Sequence, residues 1–141
     1  MTLRPGTPTL AAALLTAASL LSGCGSTEVM VNGCPPHSQQ AVADTFLFGT
    51  RAPNGIVSED EWQDFLTTIV TPRFPRGLTW WRTHGQWLDK SGKLTEEDCF
   101  VLHIIHDRGQ EKSMREIRDA YAQRFHQEAV LRERSTQCVS W

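Results

Sequence analysis

The chain has 141 residues and a formal net charge of −2. Once an export segment and a tether are set aside, on the order of 100 residues remain, enough for one modest hydrophobic core. Acidic residues outnumber basic ones, and the positive surface that nucleic-acid binding needs is missing, so we expect no nucleic-acid partner.

Residues 1–23 have the layout of a secretory signal peptide: a positive Arg4, an apolar run over residues 10–21, and small residues before a cysteine. The run of about 12 residues is too short for a membrane-spanning helix, which needs roughly 20. The segment Leu21-Ser22-Gly23-Cys24 resembles the lipobox of bacterial lipoproteins, in which the cysteine thiol takes the lipid.

This resemblance implies that Cys24 becomes the lipidated (palmitate-type) first residue of the mature protein. Two or three acyl chains hold a protein firmly at a membrane, so the membrane is a partner through the lipid anchor. The expected location is the cell envelope. By resemblance to Gram-negative sorting, Gly25 after the cysteine favours the periplasmic side of the outer membrane if the organism is Gram-negative.

Residues 24–43 contain turn-forming pairs such as Asn32-Gly33 and Pro35-Pro36, and we interpret them as a lipidated flexible tether. The folded domain is predicted to span residues 44–141. Its first strand is expected at residues 45–50, where aromatic and β-branched side chains are concentrated.

The strongest local signal lies at residues 58–61, Ser-Glu-Asp-Glu. Ser58 can cap a helix while Glu61 reaches back to it, and acidic residues in the first turn suit the helix dipole. The apolar residues that follow recur at helical spacing, and Pro72 ends the helix near residue 70 or 71.

Residues 78–88 predict a second strand and residues 99–106 a third, joined by a turn at residues 89–92. Gly85 within the second strand indicates a bulge or a close backbone contact.

A second helix is predicted over residues 113–126 and a last strand over residues 129–141. The order β-α-β-β-α-β is that of a ferredoxin-like α+β fold. It predicts an antiparallel sheet with strand order 4-1-3-2, two helices on one face and no helix on the other.

Several segments of the domain resemble the DUF3574 family of small secreted or lipid-anchored bacterial proteins of unknown function. The resemblance rests on Phe48-Gly49, Trp62, residues 71–75 (Thr-Pro-Arg-Phe-Pro), 77–79 (Gly-Leu-Thr), 85–87 (Gly-Gln-Trp) and 121–130. It covers residues 44–141 and implies an α+β fold. It implies no activity and no catalytic residues.

With Cys24 lipidated, three cysteines remain for an oxidising compartment. In the predicted topology the end of the last strand lies beside the start of the first strand, which brings Cys138 near Cys34. Cys99 begins the third strand, towards the opposite edge. We therefore predict a Cys34–Cys138 disulfide and a reduced, buried Cys99. A bridge from Cys99 to either of the other two is the alternative.

Motifs for catalysis are missing from the sequence: it contains no Gly-x-Ser-x-Gly elbow, phosphate loop or Cys-x-x-Cys pair. We therefore name no catalytic residue and no cofactor. His103 and His106 are three residues apart, which on a strand directs them to opposite faces, so we predict no metal site.

Trp80, Arg82 and His84 alternate along the second strand and therefore share a face. If this is the helix-free face, they would line a small-ligand pocket together with His103, since such pockets combine aromatic walls with a few polar groups. A dimer interface, which also favours Trp and Arg, and a solvated surface are the alternatives.

Two functional hypotheses follow. The first is a lipid-anchored envelope protein whose non-catalytic domain binds another protein or forms a homodimer through the helix-free face. The second is a small-ligand-binding protein or a cofactor-free enzyme of the dimeric α+β barrel type, an analogy that rests on fold alone.

Overall fold

The computed structural model describes Met30 and residues 33–141, so the predicted signal peptide and the lipidation of Cys24 lie outside the described residues. The elements are β1 Gln39–Gly49, β2 Arg51–Ala52, β3 Gly55–Ile56, α1 Glu59–Phe65, a π-helical turn Leu66–Val70, β4 Thr79–Leu88, β5 Leu94–His106, α2 Glu111–Phe125 and β6 Leu131–Val139. In this part of the chain, no helix has the length and apolar composition that crossing a bilayer would need.

The four long strands form one antiparallel sheet in the order β4-β5-β1-β6, while β2 and β3 form a small separate hairpin. Counting only the long strands along the chain, the order is 2-3-1-4. This is the predicted order read from the other edge, so the α+β class and the ferredoxin-like arrangement are confirmed.

An aromatic core joins the sheet to both helices on a single face. Phe48 of β1 lies 4.5 Å from Tyr121 of α2, and Phe100 of β5 stacks on Trp62 of α1 at 4.8 Å, both measured between ring centroids. These rings are almost completely buried. Because both helices pack on this face, the other face of the sheet is left without a helix.

The central strand β1 begins earlier than the sequence indicates. Residues 39–43, which the sequence places in the tether, are paired with β6 from Gln39↔Val139 onward. This stretch, Gln-Gln-Ala-Val-Ala, holds a single β-branched residue and no aromatic one, so its strand character comes from pairing with β6.

The hairpin of β4 and β5 is longer than predicted, because β5 begins at Leu94 and not at Cys99. Its polar residues 95–98 pair with β4 in an unbroken register that runs from Thr79↔His103 to Leu88↔Leu94. Gly85 pairs with Glu97 inside this register. The bulge expected at Gly85 is therefore wrong.

Helix α1 begins with the predicted capping box. Glu61 N donates to Ser58 Oγ over 3.3 Å, and Ser58 N donates to Glu61 Oε2 over 2.8 Å. The helix then widens into a π-helical turn, closed by Thr71 N donating to Leu66 O over 2.8 Å. The helical segment ends at Val70, where Pro72 was expected to stop it.

A disulfide joins Cys34 to Cys138 with 5.6 Å between their Cα atoms, while Cys99 is free and buried. The predicted pairing is confirmed. Its basis is the register, which places Cys138 directly opposite Gln40 near the start of β1.

Candidate functional site

A row of apolar side chains crosses the helix-free face of the sheet. Trp81 pairs with Val101, and Val101 pairs on its other side with Leu47. Leu47 pairs in turn with Leu131, so each of the four strands contributes one residue to this apolar row. At the edges Trp81 is 45% exposed and Leu131 is 51% exposed. In the described part of the chain the row is therefore open at its two edges, while Val101 near its centre is 4% exposed.

Charged residues are scarce on the same face. Along the four described strands, Glu97 and Glu133 are the only Asp, Glu, Lys or Arg residues that alternate onto it. Glu133 is exposed and makes no hydrogen bond or ion pair with the other described residues. Depletion of charge is typical of the buried centre of protein interfaces.

Two clefts open at the ends of this face. The first, of about 360 Å³, lies between the β4–β5 hairpin and the segment after α2, and its walls include Trp87, Glu97 and His126. The second, of about 570 Å³, lies at the opposite end and includes His103 and Ile105. Both volumes are within the range of small-ligand sites.

The four predicted pocket residues do not lie on one face. Trp80 packs against the hydrophobic core on the helix-covered side, and Arg82 and His84 follow it on that side. His103 lies on the helix-free side, where its Nδ1 is 2.9 Å from Thr45 Oγ1. The predicted pocket is therefore wrong. The alternation was predicted, but two adjacent tryptophans made the two faces of β4 indistinguishable.

Arg82 and His84 meet Asp98 of β5 instead. Arg82 Nη2 lies 3.2 Å from Asp98 Oδ2, and His84 Nδ1 lies 2.8 Å from Asp98 Oδ1. The hydrogen bond from His84, assisted by the charge of Arg82, lowers the pKa of Asp98. All three side chains are about half exposed or more. Such surface ion pairs add little stability, and here they brace the hairpin.

A buried ionic cluster that the sequence analysis did not anticipate surrounds Asp44 on the helix-covered face. Arg132 donates to Asp44 from Nε over 2.8 Å, and Arg134 does so over 3.1 Å. His106 Nε2 lies 2.7 Å from Asp44 Oδ2. Burial raises the pKa of Asp44, but the hydrogen bonds from these three residues outweigh it and hold the pKa far below its ordinary value.

This cluster holds elements together and does not present a reactive group. Arg132 and Arg134 also bind Glu111 in the first turn of α2, which ties that helix to β1 and β6. His106 borders the second cleft, but its Nδ1 lies 2.7 Å from the Asp107 carbonyl oxygen while Nε2 faces Asp44. Both ring nitrogens are therefore engaged.

Cys99 lines the first cleft as a thiol. Burial, together with the nearby charges of Glu97 and Asp98, raises its pKa above the ordinary thiol value. Because the thiolate is the nucleophilic form, this shift lowers the reactivity of Cys99. Within residues 33–141 no three His, Cys, Asp or Glu side chains are placed to hold a metal ion.

Comparison with known proteins identifies a family and a fold. The family described as "Protein of unknown function (DUF3574)" matches residues 43–141. A search of curated proteins finds no match.

Among solved structures, a phage SAM lyase in complex with S-methyl-5'-thioadenosine is similar over 72% of this chain and 90% of its own, with 16% identity and a TM-score of 0.54. The apo state of a phage SAM lyase covers the same shares with 14% identity and a TM-score of 0.48. At this identity the likeness to the complexed lyase concerns the fold alone.

Proposed function

Because the chain belongs to the DUF3574 family, whose function is unknown, we propose from its geometry that it is a lipid-anchored cell-envelope protein whose domain pairs with a second copy of itself. The pairing surface is the helix-free face of the sheet. The observation that carries this proposal is the apolar row, which runs uninterrupted across all four strands and is open at both edges.

The area of the face suits a specific interface. Four strands spaced by about 4.8 Å, which are 9 to 13 residues long and rise about 3.4 Å per residue, span a flat area of roughly 700 Å². The side chains protrude from this plane, so the accessible area of the face is larger than the flat area. A standard interface buries about 800 Å² per partner, so the area of this face is close to what a stable pair needs.

The face is also self-complementary. A two-fold axis parallel to the strands and lying between two stacked sheets places Trp81 of one copy against Leu131 of the other, and Val101 against Leu47. The adjacent polar row is Thr79, His103, Thr45 and Glu133. The same axis places Glu133, which has no partner among the described residues, against the hydroxyl of Thr79. Isologous pairing of this kind is the commonest form of homo-oligomer.

A matched pair of substitutions tests the pairing. Leu131 lies in the apolar row, whereas Leu88 is similarly exposed but alternates onto the opposite side of the β4–β5 hairpin. We expect residues 25–141, produced without the lipid, to sediment as a dimer at micromolar concentrations. Leu131→Glu should give a monomer and Leu88→Glu should leave the dimer intact. A wild-type monomer at millimolar concentration, or equal loss of dimer in both variants, would overturn the proposal.

The lipid anchor needs a separate test with the full chain. The proposal draws support from the lipobox-like segment and from the disulfide, since disulfides persist in oxidising compartments. In bacterial cells fed labelled palmitate, the wild type should carry the label and partition into detergent. Cys24→Ala should carry none, while Cys99→Ala should behave as the wild type. An unlabelled wild type rules out the anchor and leaves the pairing untouched.

A further inference from the structure

The first cleft contains a carboxylate that lacks a hydrogen-bond donor. The Glu97 side chain is 22% exposed, and its nearest cation is Arg51, with 4.0 Å between Arg51 Nε and Glu97 Oε2. It makes no hydrogen bond to any described residue. Arg51 itself donates from Nη2 to the Glu96 carbonyl oxygen over 2.9 Å, which directs its guanidinium to the backbone. A carboxylate can accept about four hydrogen bonds. A carboxylate that is largely shielded from water needs hydrogen-bond donors to replace the water that it has lost.

The backbone makes room for this carboxylate. A Cβ atom at residue 49 would collide with Glu97 Oε1 and come within 3.0 Å of Gln127 Oε1. With glycine at this position, the flexible end of the Glu97 side chain lies over β1 without being displaced. Tyr121 fixes the same point from the core side by donating to the Gly49 carbonyl oxygen over 2.9 Å. Glu97 therefore lines the cleft beside the backbone of Gly49.

The remaining walls combine apolar surface with negative charge. Leu47, Leu131 and the half-exposed Trp87 line the cleft on the sheet side. Asp89 and Glu128 also line it, so carboxylates outnumber the single guanidinium of Arg51. Indole faces attract cations, and a cleft with an excess of negative charge concentrates positively charged ligands.

We propose that this cleft binds a small organic monocation, with its ammonium-type head on Glu97 and its apolar or aromatic body against Trp87. The volume of about 360 Å³ limits the ligand to a compact molecule. The inference goes beyond self-association and does not require it.

Three probes that share a phenylethyl body and differ in the charge of the head group test the inference: 2-phenylethylamine as the cation, 2-phenylethanol as the neutral compound and 3-phenylpropionate as the anion. Binding is followed by NMR titration of the lipid-free protein, with the Trp87 indole N–H as reporter. We expect the amine to bind at least tenfold more tightly than either other probe. The reason is that only the amine makes a charged hydrogen bond to Glu97, and a factor of ten in affinity corresponds to about 1.4 kcal/mol.

Glu97→Gln keeps the shape of the side chain and removes its charge, and it should weaken amine binding about tenfold. Glu96→Gln is the control, because Glu96 is a neighbouring residue on the opposite side of β5. Equal affinities for the three probes, an unchanged amine affinity in Glu97→Gln, or shifts that spare Trp87 would each overturn the inference.

The variant Trp81→Glu separates self-association of the domain from amine binding. Trp81 lies at one edge of the apolar row and does not line this cleft. Retention of amine binding in a monomeric Trp81→Glu variant supports the inference. Loss of amine binding in that variant, with the fold intact, would show that the isolated cleft is not the site and would overturn it.

Discussion

Asp44 is a fully buried carboxylate near the middle of β1, and two arginines of β6 and one histidine of β5 converge on it. A buried charge pair is weak evidence for net stability, but removal of one member leaves the others uncompensated. The destabilisation caused by removing Asp44 is therefore expected to exceed the net stabilisation that the intact cluster contributes.

We expect Asp44→Asn to lower the free energy of unfolding by about 3 kcal/mol, because the substitution removes the buried counter-charge of Arg132 and leaves it only the partly exposed Glu111. Urea denaturation followed by circular dichroism measures the change. Asp107→Asn is the control, since Asp107 pairs with Arg76 at the surface and its loss should cost less than about 1 kcal/mol. Equal effects would show that the Asp44 cluster is no more than a surface ion pair.

The same residue gives the domain a dependence on acid. The folded pKa of Asp44 lies far below the unfolded value of about 3.9, so the ionised carboxylate stabilises the fold above that pH. This stabilisation is lost as the pH falls from about 4 towards the folded pKa. Urea midpoints of the wild type should decrease progressively over this range, and those of Asp44→Asn should decrease less steeply. Parallel profiles would contradict the assignment.

At the scale of elements, the sequence predicts what is encoded locally. The capping box at Ser58 and the stop at Pro72 bracket α1 and its π-helical turn, because both signals act within one or two turns of helix. The start of β1 and the polar half of β5 contain no comparable local sequence signal for a strand. Their strand conformation depends on partners that are distant in sequence.

The capping box offers a direct test at this scale. Ser58→Ala removes the acceptor for Glu61 N and should destabilise the domain by about 1 kcal/mol. Thermal unfolding measures the change, with Ser140→Ala near the C-terminus as a control of the same chemistry in an exposed residue. A change no larger than that of the control would mean that packing alone determines where α1 begins.

The candidate site was the hardest part to predict from sequence. Alternation along β4 predicts which residues share a face, but Trp80 and Trp81 are equally apolar and do not reveal which face the helices cover. The ionic cluster has a clearer signal. Arg132 and Arg134 alternate on one face of the strand that neighbours β1, and an acidic residue within β1 is the natural counter-charge. Asp44 is the one acidic residue of β1, but the predicted strand begins at residue 45 and leaves it outside.

At the scale of the whole molecule, the disulfide closes a loop between residues 104 apart in sequence. In the chain-entropy account, such a closure contributes about 4 kcal/mol. We expect a reducing agent to lower the melting temperature of the wild type and of Cys99→Ala alike. The Cys34→Ser/Cys138→Ser variant should melt at the lower temperature with or without reductant. A wild type insensitive to reduction would contradict this prediction.

The position of this bridge also governs how the domain responds to mechanical force. Cys34 lies just before β1, and Cys138 lies near the end of β6, on the strand paired with β1. Without the bridge, a pull on the N-terminal segment would separate β1 from β6 one hydrogen bond at a time, as a zipper opens. With it, a covalent bond passes the tension into both strands at once, and they must be pulled out of the sheet together. The N-terminal end of the domain is thereby reinforced against a pull on the segment that precedes Cys34.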